Sequence, residues 1–167
     1  MSYEWPLLVF TFLASMASGV FVITGCLRLA SVQDGKDEKD DRSFFLPFAA
    51  SAAVLCAGLL VSLFHLGNVA GAPTALANLA SSGLSQEILF GALSFVGFVV
   101  TTIMCRKATR ATVTAAWAVS TVVALVFLVC AGNAYLLPTI PLWNTAATPL
   151  SMVCGAFMAG CATAQPL

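Results

Sequence analysis

Charged side chains are scarce in this sequence. Only 8% of the 167 residues are Asp, Glu, Lys or Arg, whereas 60% are hydrophobic and the mean hydropathy is +0.97. Roughly 25% of the residues of a soluble globular domain are charged, so that class of protein is excluded. The composition indicates an integral membrane protein, for which we expect a lipid membrane and no nucleic acid as binding partner.

Residues for metal, haem and nucleotide chemistry are also scarce. His65 is the only histidine, so the chain alone cannot build a bis-histidine haem site, and none of the five methionines is placed as a second ligand. The six cysteines show no CxxC spacing and mostly lie in apolar stretches. We predict that they are small apolar packing residues. Phosphate-loop, Rossmann, nucleophile-elbow and zinc motifs are absent. We therefore predict no metal, haem or iron–sulfur cluster in this chain.

Five apolar stretches are long enough to cross a bilayer, which takes about 20 helical residues. They lie at about 6–27, 44–66, 84–105, 111–131 and 145–162. Backbone groups in lipid must be satisfied within their own segment, and these stretches lack the alternation of a barrel strand. The predicted fold class is therefore all-α: a single transmembrane domain over residues 1–167, in which five helical spans form a polytopic bundle.

Positive charge indicates the orientation of the bundle. The seven Lys and Arg residues lie either at or beyond the end of the first span or between the third and fourth spans: Arg28, Lys36, Lys39, Arg42, Arg106, Lys107 and Arg110. With five spans, both groups fall on one side, which the positive-inside rule makes cytoplasmic, so the N-terminus lies outside. The charged segment 31–43 is then a solvated cytoplasmic loop. The first stretch follows Glu4 and is long, which favours a retained span over a cleaved signal peptide.

Between residues 43 and 105 only His65 and Glu87 readily carry charge, and both lie where spans two and three meet the outer face. Ionisable groups at the border of hydrocarbon are costly unless partnered, which makes them candidates for handling protons or a ligand. A quinol that gives up two electrons also loses two protons and needs acceptors for them. A purely structural interpretation remains open at this point, with Glu87 in the first turn of a helix capped by Ser82 or Ser85.

Two outer segments lack charge altogether, at 67–83 and 133–144. Depletion of charge is typical of the centre of stable protein interfaces. These segments are the predicted docking surface for partner subunits.

Four sequence blocks occur in order along the chain: EWPLLVFTF at 4–12, FHLGN at 64–68, ALANLASSGLSQEILFG at 75–91 and PTIPLWNTAATPLSM at 138–152. In these blocks the chain resembles the membrane-anchor subunits of anaerobic dimethyl sulfoxide reductase, within a wider group of quinol-linked anchors of molybdenum respiratory enzymes. Members of that family are usually considerably longer. We therefore expect the chain to be an N-terminal portion, a truncated gene product or a reduced homologue.

The resemblance implies a non-catalytic subunit of an oxidoreductase complex in anaerobic respiration, with no cofactor of its own. It would oxidise menaquinol near the outer face of the cytoplasmic membrane and pass electrons to an iron–sulfur subunit, which serves a molybdopterin catalytic subunit. The family's quinol-site histidine and glutamate fall on His65 and Glu87. In this scheme Glu87 accepts a quinol proton and His65 hydrogen-bonds the second oxygen. Trp143 lines the ring pocket, and Ser85 and Asn144 are further candidate quinol-binding residues.

Two other functions remain as alternatives. A purely structural anchor would hold soluble subunits at the membrane through the outer segments and would not need His65 or Glu87. A small transporter is less consistent with the sequence, because the spans lack the interior charges and paired broken helices typical of substrate pathways.

Overall fold

The structure, a computed structural model, describes residues 5–33, 42–63, 83–136 and 144–163. Within these ranges every regular element is helical. The helices are α1 (Trp5–Gln33), α2 (Phe45–Leu63), α3 (Gly83–Lys107), α4 (Arg110–Ala134) and α5 (Ala147–Thr163), with one 3-10 turn, Arg42–Phe44, directly before α2. The prediction of an all-α helical membrane bundle is confirmed.

Four of the helices are long and apolar enough to cross a membrane. The fifth, α5, is apolar but has only 17 residues. At 1.5 Å per residue it is about 25 Å long, slightly less than the roughly 30 Å hydrocarbon core of a bilayer. Of the five predicted spans, four therefore meet the length criterion and the last is a shorter apolar helix.

Contacts between side chains show that α1 and α4 run antiparallel. Near the start of α1, the ring of Phe10 packs edge-on against Phe127 near the end of α4, with centroids 6.2 Å apart. Near the end of α1, Arg28 Nη1 donates to the hydroxyl of Thr114, 3.0 Å away, close to the start of α4. Helix α1 packs mainly on α2 and α5, and α3 packs mainly on α4 and then on α2.

The helix ends that carry positive charge lie together. Arg28 reaches the start of α4, and the guanidinium of Arg106, at the end of α3, stacks 3.7 Å above the ring of Phe45 at the start of α2. Arg110 begins α4. We call this the charged end of the bundle. The other end, where α1 and α3 begin and α4 finishes, is called the opposite end.

The interior is built from aromatic rings and small residues. Phe21 stacks on Phe98 with centroids 3.8 Å apart and is tilted against Phe48 at 5.2 Å. Where α1 crosses α5, a Cβ added to Gly19 would overlap the carbonyl group of Ala156, and one added to Gly160 would overlap the carbonyl of Gly19. Residues without side chains allow this close approach, which is a common way of packing helices in membranes.

Helix α1 extends beyond the predicted span. It continues past residue 27 to Gln33, so the first three residues of the predicted loop 31–43 are helical. Arg28 explains the extension in part, because its buried side chain is held by Thr114 and fixes the last turns of α1 against α4. Residues 34–41 lie outside the described residues.

The cysteines contribute less to the interior than expected. All six are free, and only Cys105 is buried. Cys26, Cys154 and Cys161 are exposed on the outside of the bundle, where lipid would surround them.

Candidate functional site

A single acidic side chain marks the opposite end of the bundle. Glu87 is the only Asp or Glu among the described residues, and it is just 2% exposed. Its Oε1 atom has no hydrogen-bond partner among them. Burying a carboxyl group without a donor is costly, so this arrangement is typical of a group that takes up a proton or meets a ligand.

The expectation that Glu87 lies in the first turn of its helix was wrong. Helix α3 begins at Gly83, and no acidic residue lies in its first turn. Gly83 packs against the backbone of Ala134, with a Cβ position 3.5 Å from its Cα, so α3 begins close alongside the end of α4. Glu87 is thus the fifth residue of the helix, and stabilisation by the helix dipole, which is strongest in the first turn, does not account for its position. Ser85 lies inside the helix rather than capping it.

Helix α4 supplies the neighbours of Glu87. Cys130 and Tyr135 both lie close enough to be influenced by the charge of the Glu87 carboxylate. One turn further along α3, a Cβ at Gly91 would lie 3.2 Å from the ring of Phe127 and 3.4 Å from Leu59. The Glu87 carboxyl group therefore lies above an apolar layer, with its polar surroundings on the α4 side.

Tyr135 joins this region to α1. Its hydroxyl lies 2.8 Å from the hydroxyl of Thr11. Thr11 also donates to the carbonyl oxygen of Leu7, 2.9 Å away. A threonine hydroxyl has one proton, so in this arrangement Tyr135 donates to Thr11 and its own oxygen can still accept a hydrogen bond.

Three influences act on the ionisation of Tyr135. Burial raises the pKa of its hydroxyl most, the hydrogen bond to Thr11 lowers it, and the charge of Glu87 raises it. The net shift is upward, so the phenol keeps its proton at neutral pH.

A groove of about 550 Å³ runs between α1 and α5. Tyr135 lies in the part of the groove that is at the opposite end of the bundle. It is lined mostly by apolar atoms, with hydroxyl groups gathered where the two helices begin. The residues that line it are Leu8, Thr11, Phe12, Ser15, Met16, Tyr135, Thr148, Ser151, Met152, Gly155 and Ala159. Glu87 is not among them. Of the residues that line the groove, Tyr135 is the one on whose hydroxyl the charge of Glu87 acts.

The predicted site residues are only partly brought together. Ser85 is buried, at 3% exposure, close to Glu87 in the same helix. Asn144 is exposed in the bend before α5 and does not line the groove. His65 and Trp143 lie outside the described residues. Among the described residues, no three His, Cys, Asp or Glu side chains are grouped as a metal site would require.

Tyr135 and Thr11 were not predicted from the sequence. Tyr135 is one of only two tyrosines in the protein, and its position at the end of an apolar stretch was a usable signal. Thr11 carried no such signal, because its role depends on a residue 124 positions away.

An apolar helical bundle with a buried acid and an amphiphilic groove is typical of a polytopic membrane protein. The chain belongs to the family of DMSO reductase anchor subunits (DmsC), whose model matches residues 1–167. The family resemblance of the sequence is thereby confirmed.

Curated relatives agree with this assignment at low identity. The protein is similar to the YnfH subunit of anaerobic dimethyl sulfoxide reductase from Escherichia coli, with 25% identity over 95% of its own length and 55% of the relative. It is also similar to the C subunit of anaerobic dimethyl sulfoxide reductase from Escherichia coli, at 27% over 95% and 55%, and from Haemophilus influenzae, at 28% over 89% and 53%. The protein thus spans about half the length of these relatives. No solved structure gives a significant match.

Proposed function

We propose that this chain is the quinol-oxidising membrane anchor of a respiratory molybdoenzyme that resembles dimethyl sulfoxide reductase. Menaquinol is the proposed substrate, and an iron–sulfur subunit is the proposed electron acceptor. That subunit would serve a molybdopterin catalytic subunit. The observation that carries the proposal is the buried Glu87 carboxyl group, which has an oxygen without a partner among the described residues.

The chemistry requires a base and an exit for electrons. Oxidation of a quinol breaks two O–H bonds and releases two protons and two electrons. Glu87 accepts one of the protons, and the second leaves from the other quinol oxygen to the aqueous phase at the outer face. The two electrons pass one at a time to the clusters of the iron–sulfur partner. The role of His65, hydrogen bonding to the second quinol oxygen, rests on the family resemblance.

The burial of Glu87 supports this scheme over a purely mechanical role, whereas membership of an anchor family is compatible with both. A subunit that only holds soluble partners gains nothing from an acid buried among apolar helices, since such a residue destabilises the bundle. A buried acid such as Glu87 is therefore expected where its carboxyl group has a function, here the uptake of a proton.

The proposed orientation follows from charge. Arg28, Arg106 and Arg110 lie at the charged end, which the positive-inside rule assigns to the cytoplasm. Glu87 then lies towards the outer face of the cytoplasmic membrane, where the partner subunits would dock on the uncharged outer segments.

Replacement of Glu87 tests the proton-accepting role. In membranes that contain the protein and its partner subunits, we expect Glu87→Gln to slow menaquinol-dependent reduction of the partner clusters about 100-fold or more, in the range typical of general bases. Glu87→Asp retains the carboxyl group and should keep part of the rate. Reduction of the clusters by dithionite, which bypasses the quinol, should be unchanged in both variants.

The same assay separates this function from that of a structural anchor. Normal quinol-dependent rates in both Glu87→Gln and His65→Ala, with the partner subunits still copurifying, would contradict quinol oxidation at this site. Neither side chain would then take part in quinol oxidation, and the purely structural anchor, which needs neither residue, would be favoured.

A further inference from the structure

We propose that the groove between α1 and α5 binds the quinol itself, with the Tyr135 oxygen accepting a hydrogen bond from a quinol hydroxyl and Thr11 holding Tyr135 in that role. This inference rests on the proposed function, because it places the substrate of that function. It adds two binding residues and a preference for the reduced form of the substrate.

The shape of the groove fits a lipid-soluble ligand. Its volume of about 550 Å³ lies within the 300–1,000 Å³ typical of small-molecule sites. Leu8 and Phe12 on its wall are 63% and 68% exposed, so one side opens towards the surroundings of the bundle. In a membrane those surroundings are hydrocarbon, and a ligand dissolved there can enter sideways.

The distribution of polar atoms orients that ligand. Four residues with hydroxyl groups lie towards the opposite end of the bundle, near the start of both helices and the end of α4: Thr11, Tyr135, Thr148 and Ser151. Further along both helices the lining is apolar apart from Ser15, with Met16, Met152, Gly155 and Ala159 among its residues. This arrangement matches a molecule with a polar ring and an apolar tail, with the ring beside Tyr135 and the tail along the groove.

The hydrogen bonds select the redox form of the ring. While Thr11 donates its proton to the Leu7 carbonyl oxygen, Tyr135 donates to Thr11, and the Tyr135 oxygen then offers a ligand only its lone pairs. A quinol hydroxyl can donate to that oxygen, whereas a quinone has only acceptors. The oxidised product is therefore held less tightly than the substrate, which favours its release.

Tyr135 also places the ring near the proton acceptor. Tyr135 follows the end of α4, beside which α3 begins at Gly83, and the charge of Glu87 on α3 acts on the Tyr135 hydroxyl. Oε1 of Glu87 is buried and has no hydrogen-bond partner among the described residues. A quinol held by Tyr135 would therefore lie at the same end of the bundle as the proposed proton acceptor.

The test measures binding of a short-chain naphthoquinol and of its quinone, each by competition with a fluorescent hydroxyquinoline N-oxide. The protein is used in membranes with its partner subunits and without a terminal acceptor. Gly155→Leu puts a side chain into the groove at a position where an added Cβ meets nothing within 4 Å. We expect it to weaken binding of both forms by about tenfold or more. Cys154→Leu, an exposed neighbour outside the groove lining, is the matched control and should bind like wild type.

Two further variants test the hydrogen bonds. Tyr135→Phe should weaken binding of the naphthoquinol about two- to tenfold, as expected for one neutral hydrogen bond, and leave the quinone unchanged. Thr11→Val frees the proton of Tyr135 for the ligand, so the preference for quinol over quinone should fall. Thr102→Val is the matched control for Thr11→Val, because Thr102 likewise donates to a carbonyl oxygen of its own helix, that of Phe98, and is buried elsewhere in the bundle.

Several results would overturn the inference. Wild-type affinity in Gly155→Leu would show that the groove is not the site, and equal loss of both redox forms in Tyr135→Phe would refute the acceptor role of its oxygen. Displacement of the probe by excess phosphatidylglycerol as readily as by naphthoquinol would make the groove a lipid site.

The proposed function fails separately from this inference. If Glu87→Gln stops quinol-dependent reduction while Gly155→Leu binds and reacts normally, only the groove assignment is wrong. If the naphthoquinol binds as described but Glu87→Gln turns over normally, only the proton-accepting role of Glu87 is wrong.

Discussion

Replacement of Gly19 by alanine tests the close crossing of α1 and α5. The added Cβ would overlap the carbonyl group of Ala156, which belongs to the backbone and cannot rotate away. Overpacking of this kind costs about 1–3 kcal/mol, and the better helix propensity of alanine returns at most about 1 kcal/mol. We expect a net loss of about 1–2 kcal/mol in the free energy of unfolding.

Gly155→Ala is the matched control on the other helix. A Cβ at Gly155 meets nothing within 4 Å, so only the propensity gain of about 0.5–1 kcal/mol should remain. The two variants should therefore shift stability in opposite directions, by about 1.5–3 kcal/mol relative to each other.

Unfolding by increasing SDS in mild-detergent micelles, followed by circular dichroism, measures both changes. The midpoint should fall for Gly19→Ala and rise for Gly155→Ala. If both glycine replacements raise the midpoint equally, the two helices do not cross at this distance.

Two smaller effects are expected at the charged end, in the same unfolding assay. Thr114→Val removes the hydroxyl that accepts a hydrogen bond from buried Arg28. The free energy of unfolding should fall by about 1–3 kcal/mol, the range for hydrogen bonds to charged groups. An unchanged free energy of unfolding would refute a structural role for that bond. Phe45→Leu removes the ring beneath exposed Arg106 and should cost about 0.5–1 kcal/mol beyond the change in packing. That extra loss should disappear when Arg106 is replaced by Gln, and its persistence would show that the stacking contributes nothing.

The helices were predictable because hydrocarbon sets their length and composition. The residues at which the helices begin and end were less predictable, because contacts between helices determine them. Helix α1 continues to Gln33, beyond the apolar stretch, where Arg28 is anchored on Thr114. Helix α3 begins beside the end of α4 at Gly83, which moved Glu87 out of the first turn.

The candidate site likewise has a part that could be predicted from the sequence and a part that depends on how the helices pack. Glu87 could be found by its rarity, because one acid among apolar residues stands out in any sequence. The pairing of Tyr135 with Thr11 could not, because it depends on how α1 and α4 cross. The groove needs a gap between two helices at Gly155, whereas the same pair of helices is in close contact at Gly19.

The most direct test of proton uptake by Glu87 is an infrared difference spectrum recorded as naphthoquinol is oxidised in membranes that contain the protein and its partner subunits. We predict that the C=O stretch of a newly protonated carboxyl group appears with reduction of the partner clusters and is absent in Glu87→Gln. Cluster reduction in the wild-type protein without that band, or a band that persists in Glu87→Gln, would contradict the proposed role of Glu87.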